Sequence, residues 1–298
     1  MCGIVGLFLK DPKLEPELGS MLSSMLCVMT DRGPDSAGFA VYGAGEPGRV
    51  KLSLRASPDF DAAALALLVE QAVGETVVVK QRAGHVLVDV PSDSEAVARE
   101  ALAQVADTAV IGSGSRMEIF KEVGLPADVS SRFGLPGMRG THGIGHTRMA
   151  TESAVTTDGA HPFSTGRDQC LVHNGSLSNH AGLRRTLSHE GLTFATDNDS
   201  EVAAAYLTWR MKQGASLGEA LEAGLSDLDG FFTFVVGTET GFGVLRDPIA
   251  CKPAVMAETD RYVAFGSEYR ALVSLPGIDQ ARVWEPEPAT VYFWDRAA

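Results

Sequence analysis

The sequence predicts a mixed α+β fold carrying an inserted α/β subdomain. Short runs rich in β-branched and aromatic residues recur along the whole chain, bounded by Gly, Pro or Asp. Ala/Leu/Val-rich segments with apolar residues at helical spacing lie between some of them. From about Val50 to Gly112 the two kinds follow one another as β-α-β-β-α-β, the order of a split-βαβ, ferredoxin-like unit.

Taken in order, the expected strands are Gly3–Leu9, Gly38–Tyr42, Arg49–Arg55, Thr76–Lys80, His85–Val90, Thr108–Gly112, Gln169–Val172, Phe231–Val236, Phe242–Leu245, Tyr262–Phe265 and Thr290–Trp294. The expected helices are Asp61–Val73, Glu95–Ala106, Asn179–Glu190, Ser200–Lys212 and Leu217–Leu225, with Gly191 as a C′ glycine ending the third. Ala44–Gly48 reads as the entry to the insert and Phe133–Gly137 as its exit, so the insert is expected over residues 50–136 of a domain running from 2 to 298.

A chain of 298 residues with 45 % hydrophobic content can build a full core. Its net charge of −13 argues against nucleic acid and anionic membranes, which call for basic patches. The apolar run after Met1 is short and has neither a basic start nor a small-residue cleavage site, so it reads as a buried strand rather than a leader. Cys2, Cys27, Cys170 and Cys251 form no C-x-x-C pair and no disulfide framework, and the seven histidines show no ligand spacing. The expectation is a cytoplasmic protein without a metal.

Several constellations can carry chemistry. Cys2 directly follows the initiator methionine, which is usually trimmed before a small residue. The chain would then begin with a thiol and an α-amine on one residue, and an amine titrating near 8 can serve as general base for that thiol. A small buried residue opening a strand is the plainer alternative. Asp31–Gly38 reads as a helix exit and turn, which accounts for Gly33 and Pro34 but leaves Arg32 and Asp35 as surface charges. In Gly145–Thr151, Arg148 closing a strand can hold a carboxylate through two parallel charged hydrogen bonds, or make an ordinary strand-end salt bridge. His173-Asn174-Gly175 offers a side-chain amide beside a glycine N–H, the layout of an oxyanion hole, although Asn-Gly is also the commonest tight-turn dipeptide. Asp199 could accept from a substrate ammonium or cap the helix it opens.

Together these motifs resemble the class II glutamine amidotransferases, which are N-terminal-nucleophile hydrolases. The resemblance rests on their order: Cys2-Gly3-Ile4, Arg32-Gly33-x-Asp35-Ser36-x-Gly38, His146-Thr147-Arg148, His173-Asn174-Gly175 and Asp199-Ser200-Glu201, with Arg246-Asp247-Pro248, Lys252-Pro253 and Ser267-Glu268 following. It implies a four-layer α-β-β-α sandwich. It also implies a thioester on Cys2, an oxyanion held by Asn174 and Gly175, the glutamine α-carboxylate on Arg148 and its ammonium on Asp199. Arg32, Thr151 and His173 are expected on the substrate side. Many relatives carry an aromatic residue where Met149 stands, and some carry His-Gly where Glu152-Ser153 stand.

No phosphate loop or nucleotide fingerprint is present, so no cofactor is expected in this chain. The His146–Thr151 and Ile111–Glu118 stretches and the insert look similar to the stand-alone amidotransferase subunit of N-methylglutamate synthase. That resemblance implies an FMN-containing synthase subunit and a further subunit as partners. The alternatives are the ammonia donor of a split glutamate synthase, a non-catalytic regulatory subunit, and a hydrolase of another amide. A paired Arg148/Asp199 clamp for a zwitterion argues against the last.

Overall fold

The computed structural model of the chain describes residues 2–57, 59–150 and 154–296. Its strands are β1 (Gly3–Leu9), β2 (Ser36–Tyr42), β3 (Arg49–Arg55), β4 (Val78–Arg82), β5 (His85–Pro91), β6 (Ala109–Gly114), β7 (Met117–Val123), β8 (His142–Arg148), β9 (Phe163–Gly166), β10 (Gln169–Leu177), β11 (Gly230–Gly237), β12 (Gly241–Arg246), β13 (Val255–Glu258), β14 (Tyr262–Gly266), β15 (Arg282–Trp284) and β16 (Thr290–Asp295). Its helices are α1 (Leu18–Val28), α2 (Ala62–Val73), α3 (Glu95–Leu102), α4 (Pro126–Phe133), α5 (His180–His189), α6 (Asp199–Lys212) and α7 (Leu217–Asp227).

Two antiparallel sheets stack to form the body. One has seven strands in the order β15-β13-β14-β1-β8-β2-β7, the other five in the order β16-β12-β11-β10-β9. The period of two along β1 shows how the layers are built. Ile4 and Phe8 pack between the sheets against Val172, Val235 and Phe242. Val5, Leu7 and Leu9 face the other way and pack under α1 with Leu18, Leu22 and Leu26. On the far side, Leu171, Phe232 and Phe234 pack under α6 and α7 with Val202, Tyr206 and Leu221. The result is the expected α-β-β-α sandwich. Leu22, Leu26, Val202 and Leu221 are wholly buried, and each contributes about 1.5–3 kcal/mol.

The insert forms a third sheet of four strands, β4-β5-β3-β6, with α2 and α3 on one face over a core of its own. Its element order is the βαββαβ read from the sequence, and its strand order is that of a ferredoxin-like unit. The sheet ends at Gly114. Residues 117–136, counted with the insert from sequence, belong to the body: β7 pairs with β2, and α4 packs its Val129 and Phe133 into the core beneath α1. Asp168 fastens this junction. Its carboxylate accepts from the N–H groups of Ser115, Arg116 and Met117 at 2.8–3.0 Å, and its carbonyl accepts from the Tyr42 hydroxyl at 3.1 Å.

Helix α4 and strands β7, β9, β13 and β15 are absent from the expected elements; of α1 only an exit before Asp31 was expected, and of β8 only its end at Arg148. Strand β8 (His-Gly-Ile-Gly-His-Thr-Arg) has two glycines, two histidines and only Ile144 as a large apolar residue, yet it is central in its sheet and buried throughout. Its glycines answer to tertiary packing. A Cβ on Gly143 would lie 2.7 Å from Leu22 of α1, and one on Gly145 would lie 3.1 Å from Leu26. Among the described residues no helix is long and apolar enough to cross a membrane.

Candidate active site

The first residue of the described chain, Cys2, lies at the mouth of β1, where three elements converge. Its carbonyl accepts from Arg32 Nε at 3.0 Å and from Asn174 Nδ2 at 3.3 Å. Immediately after it, the Ile4 N–H donates to Ser267 Oγ and the Ser267 N–H returns to the Ile4 carbonyl, both at 2.9 Å. This reciprocal pair pins the start of β1 to the end of β14. All four cysteines are free, and Cys2 is half-buried.

Alternation along β10 decides what each residue of His173-Asn174-Gly175 can touch. Cys170 and Val172 point between the sheets, and Asn174, next in that series, reaches Cys2. His173 points the other way, toward α6. Its Nδ1 pairs with Ser200 Oγ at 2.8 Å and lies 3.8 Å from Asp199 Oδ1. Expected on the substrate side, His173 is instead a buried brace beneath Asp199. Burial lowers its pKa to about 4, with Asp199 opposing the shift and Lys252 adding to it. Gly175 has φ +151°, and a Cβ there would lie 2.0 Å from the Phe231 carbonyl, so no other residue fits without displacing β11.

Asp199 is the first residue of α6 but not its cap. Asn198 is the N-cap, its Oδ1 accepting from the Ser200 N–H at 2.9 Å. The Asp199 carboxylate accepts from the Leu177 N–H at 2.9 Å, which ties the head of α6 to the end of β10. A carboxylate in the first turn is also favoured by the helix dipole.

Arg148 closes β8 and is 7 % exposed. Its Nη1 donates to the Ala154 carbonyl at 3.2 Å. Asp35, read from sequence as a surface charge, holds the chain at this point. Its N–H donates to the Arg148 carbonyl at 3.1 Å, and its carboxylate accepts from the Ala150 N–H at 2.7 Å. Gly33 lets the turn approach, since a Cβ there would lie 2.5 Å from the Arg148 nitrogen. Arg32 is likewise buried rather than a surface charge, and its Nη1 donates to Glu268 Oε1 at 2.7 Å. Arg32 holds the Glu268 carboxyl below its ordinary value, with help from Arg270.

Arg148, Gly175 and Asp199 line one cleft of about 610 Å³, together with Met149, Ala154, Thr156, Asp158 and Gly159. The cleft thus carries one arginine and three carboxylates, those of Asp158, Asp197 and Asp199, so it offers both a cation and an anion, as an α-amino acid zwitterion requires. Cys2, Arg32, Asn174 and His173 are outside that lining. Asn174 connects Cys2 to the cleft through its chain neighbour Gly175. Thr151, and Glu152 and Ser153 beside it, lie outside the described residues, as does Met1. Among the described residues no group of His, Cys, Asp or Glu is placed to hold a metal ion.

The Asn174 amide and the Gly175 N–H were legible from sequence. The contacts of Asp35, Ser200 and Ser267 were not, because their partners are set by the meeting of separate elements; Asn198 makes a local cap that Asp199, beside it, was equally suited to make.

A glutamine amidotransferase domain model matches residues 146–274, the stretch holding Arg148, Asn174, Gly175 and Asp199 but not Cys2. The glutamine amidotransferase-like protein GlxB of Rhizobium meliloti is 64 % identical over 99 % of this chain and 98 % of its own. A relative from Methanothermobacter thermautotrophicus, also carrying a glutamine amidotransferase name, is 32 % identical over 98 % of this chain and 99 % of its own. Among solved structures, glutamine phosphoribosylpyrophosphate amidotransferase from B. subtilis superposes with a TM-score of 0.63 at 19 % identity. The match covers 99 % of this chain and 47 % of that one, a likeness of fold.

Proposed function

Since the chain belongs to the class II glutamine amidotransferases, we propose that it is the glutaminase subunit of a glutamate-synthase-type complex, with Cys2 as nucleophile. The observation that carries the reading is the single cleft holding Arg148, Asp199 and Gly175, joined through Asn174 to Cys2. Glutamine enters with its α-carboxylate on Arg148 and its ammonium on Asp199. Its side-chain amide then reaches toward Gly175 and Cys2.

The Cys2 sulfur, deprotonated by the residue's own α-amine, attacks the amide carbon. The tetrahedral oxyanion takes hydrogen bonds from Asn174 Nδ2 and the Gly175 N–H. Collapse expels ammonia, which takes up the proton, and leaves a thioester on Cys2. Water then attacks the thioester through the same oxyanion site and releases glutamate. Asn174 Nδ2 carries two hydrogens, so it can keep its bond to the Cys2 carbonyl while donating to the oxyanion. Arg32 holds the same carbonyl from another side and so fixes where the nucleophile sits.

The ammonia would pass to an FMN-containing partner. The similarity of the His146–Thr151 and Ile111–Glu118 stretches to N-methylglutamate synthase supports that system as the acceptor, with the separately encoded glutamate synthase as the second reading. A complex purified with the full chain is expected to consume glutamine, and methylamine in the first system, with formation of a glutamate product. Consumption of glutamine without methylamine would favour the split glutamate synthase. A complex that consumes neither would remove the reading.

A further inference from the structure

We propose that the insert acts on the glutamine cleft, with Arg55 of β3 as a positioning residue for the 154–162 segment and, through it, for Arg148. This rests on the glutaminase reading above. Ala154, Thr156, Asp158 and Gly159 of that segment form one wall of the cleft. The wall touches Arg148 directly. The Ala154 carbonyl accepts from Arg148 Nη1 at 3.2 Å, and Gly159 comes so close that a Cβ on it would lie 3.3 Å from the same nitrogen.

The segment has little regular structure of its own, so its shape depends on what fastens it. Among the described residues, Lys121, Glu122 and Arg55 do so through side-chain hydrogen bonds from outside the cleft. Lys121 of β7 donates from Nζ to the carbonyls of Asp158 at 3.1 Å and Ala160 at 2.9 Å. Glu122 accepts from the Thr157 hydroxyl. Both belong to the body of the protein. The third is Arg55, at the end of an interior strand of the insert's sheet, whose Nε pairs with Asp158 Oδ1 at 2.7 Å. The insert is therefore bonded to a wall of the glutamine site.

Removing the Arg55 guanidinium does two things. It unfastens the wall on the insert side. It also leaves the Asp158 carboxylate, part of the cleft's lining, without this counter-charge. Both effects fall on glutamine binding and leave the acyl-transfer groups at Cys2 and Asn174 untouched. Any load on the insert, such as a docked subunit, would reach glutamine by the same bond.

The test is Arg55→Ala in the full chain. The pair is part-exposed, so KM for glutamine is expected to rise about five-fold with kcat little changed. Arg55→Lys should recover much of the loss, since a lysine can still pair with Asp158. Hydrogen exchange read on residues 154–162 should be faster in Arg55→Ala than in wild type, with the rest of the body unchanged. An active wild type whose KM is unmoved by Arg55→Ala, or a fall in kcat alone, would overturn the proposal. A wild type that fails to hydrolyse glutamine would instead count against the glutaminase reading. The exchange rates would then decide whether the insert fastens the wall, unchanged rates overturning it.

Discussion

Replacing Asn174 with alanine is expected to lower kcat for glutamine hydrolysis about 100- to 1000-fold, the usual loss of one oxyanion donor. KM should change little, because Asn174 is outside the cleft lining that holds the zwitterion. The fold should survive, since the Cys2 carbonyl keeps its bond from Arg32 Nε. Asn174→Asp separates donation from shape: it is nearly isosteric but places an acceptor where a donor is needed, so it should be at least as damaging as alanine. Steady-state kinetics of both variants, with circular dichroism as a fold control, checks this. Near-normal kcat in either variant would remove Asn174 from the oxyanion site.

Acid should unfold the protein steeply at about pH 5, because buried neutral histidines bind protons only when the chain opens. Five of the seven histidines (His85, His142, His146, His161 and His173) are buried. Burial lowers the pKa of His85, His142 and His146 from 6.5 to about 3, and that of His173 to about 4. His161 is pushed well below its ordinary value by burial, and by His146, on which it stacks at 4.0 Å, and His173.

Between the unfolded value near 6.5 and these folded values, the unfolded chain binds more protons than the native one. Stability is therefore full above pH 6.5 and lost as the pH falls below it. Five such groups give a slope of roughly 7 kcal/mol per pH unit near pH 5, against a total stability of about 5–15 kcal/mol. Collapse is expected well before any histidine reaches its folded value. Circular dichroism against pH, with proton uptake by titration, should show uptake of about four to five protons per chain. A protein still folded at pH 4 would contradict the burial of these rings.

How much of this was legible in the sequence depended on how local each signal is. Strands β1, β11 and β14 were readable because burial on both faces selects largely apolar runs, and β3 because its apolar residues alternate with polar ones over one buried face. The extent of strand β8 was not, because α1 packs closely over Gly143 and Gly145, and its histidines and arginine serve other elements. The insert's order was readable, but its C-terminal limit was not, since β7 pairs back onto β2. Arg148, Asn174, Gly175 and Asp199 stood out as motif residues. What holds them did not: Asp35 beneath the Arg148 turn and Ser200 against His173 are contacts between elements distant in sequence. Asp199 was open to reading as a helix cap, and the cap proved to be its neighbour Asn198.

The central claim is that Cys2, freed as the first residue, is the nucleophile. Its most direct test is the intact mass of the untagged chain before and after exposure to a glutamine-mimicking diazo ketone. The account predicts loss of one methionine and gain of a single adduct, with no adduct in Cys2→Ala. A chain that retains Met1 and takes no adduct, or that takes one equally well in Cys2→Ala, would contradict it.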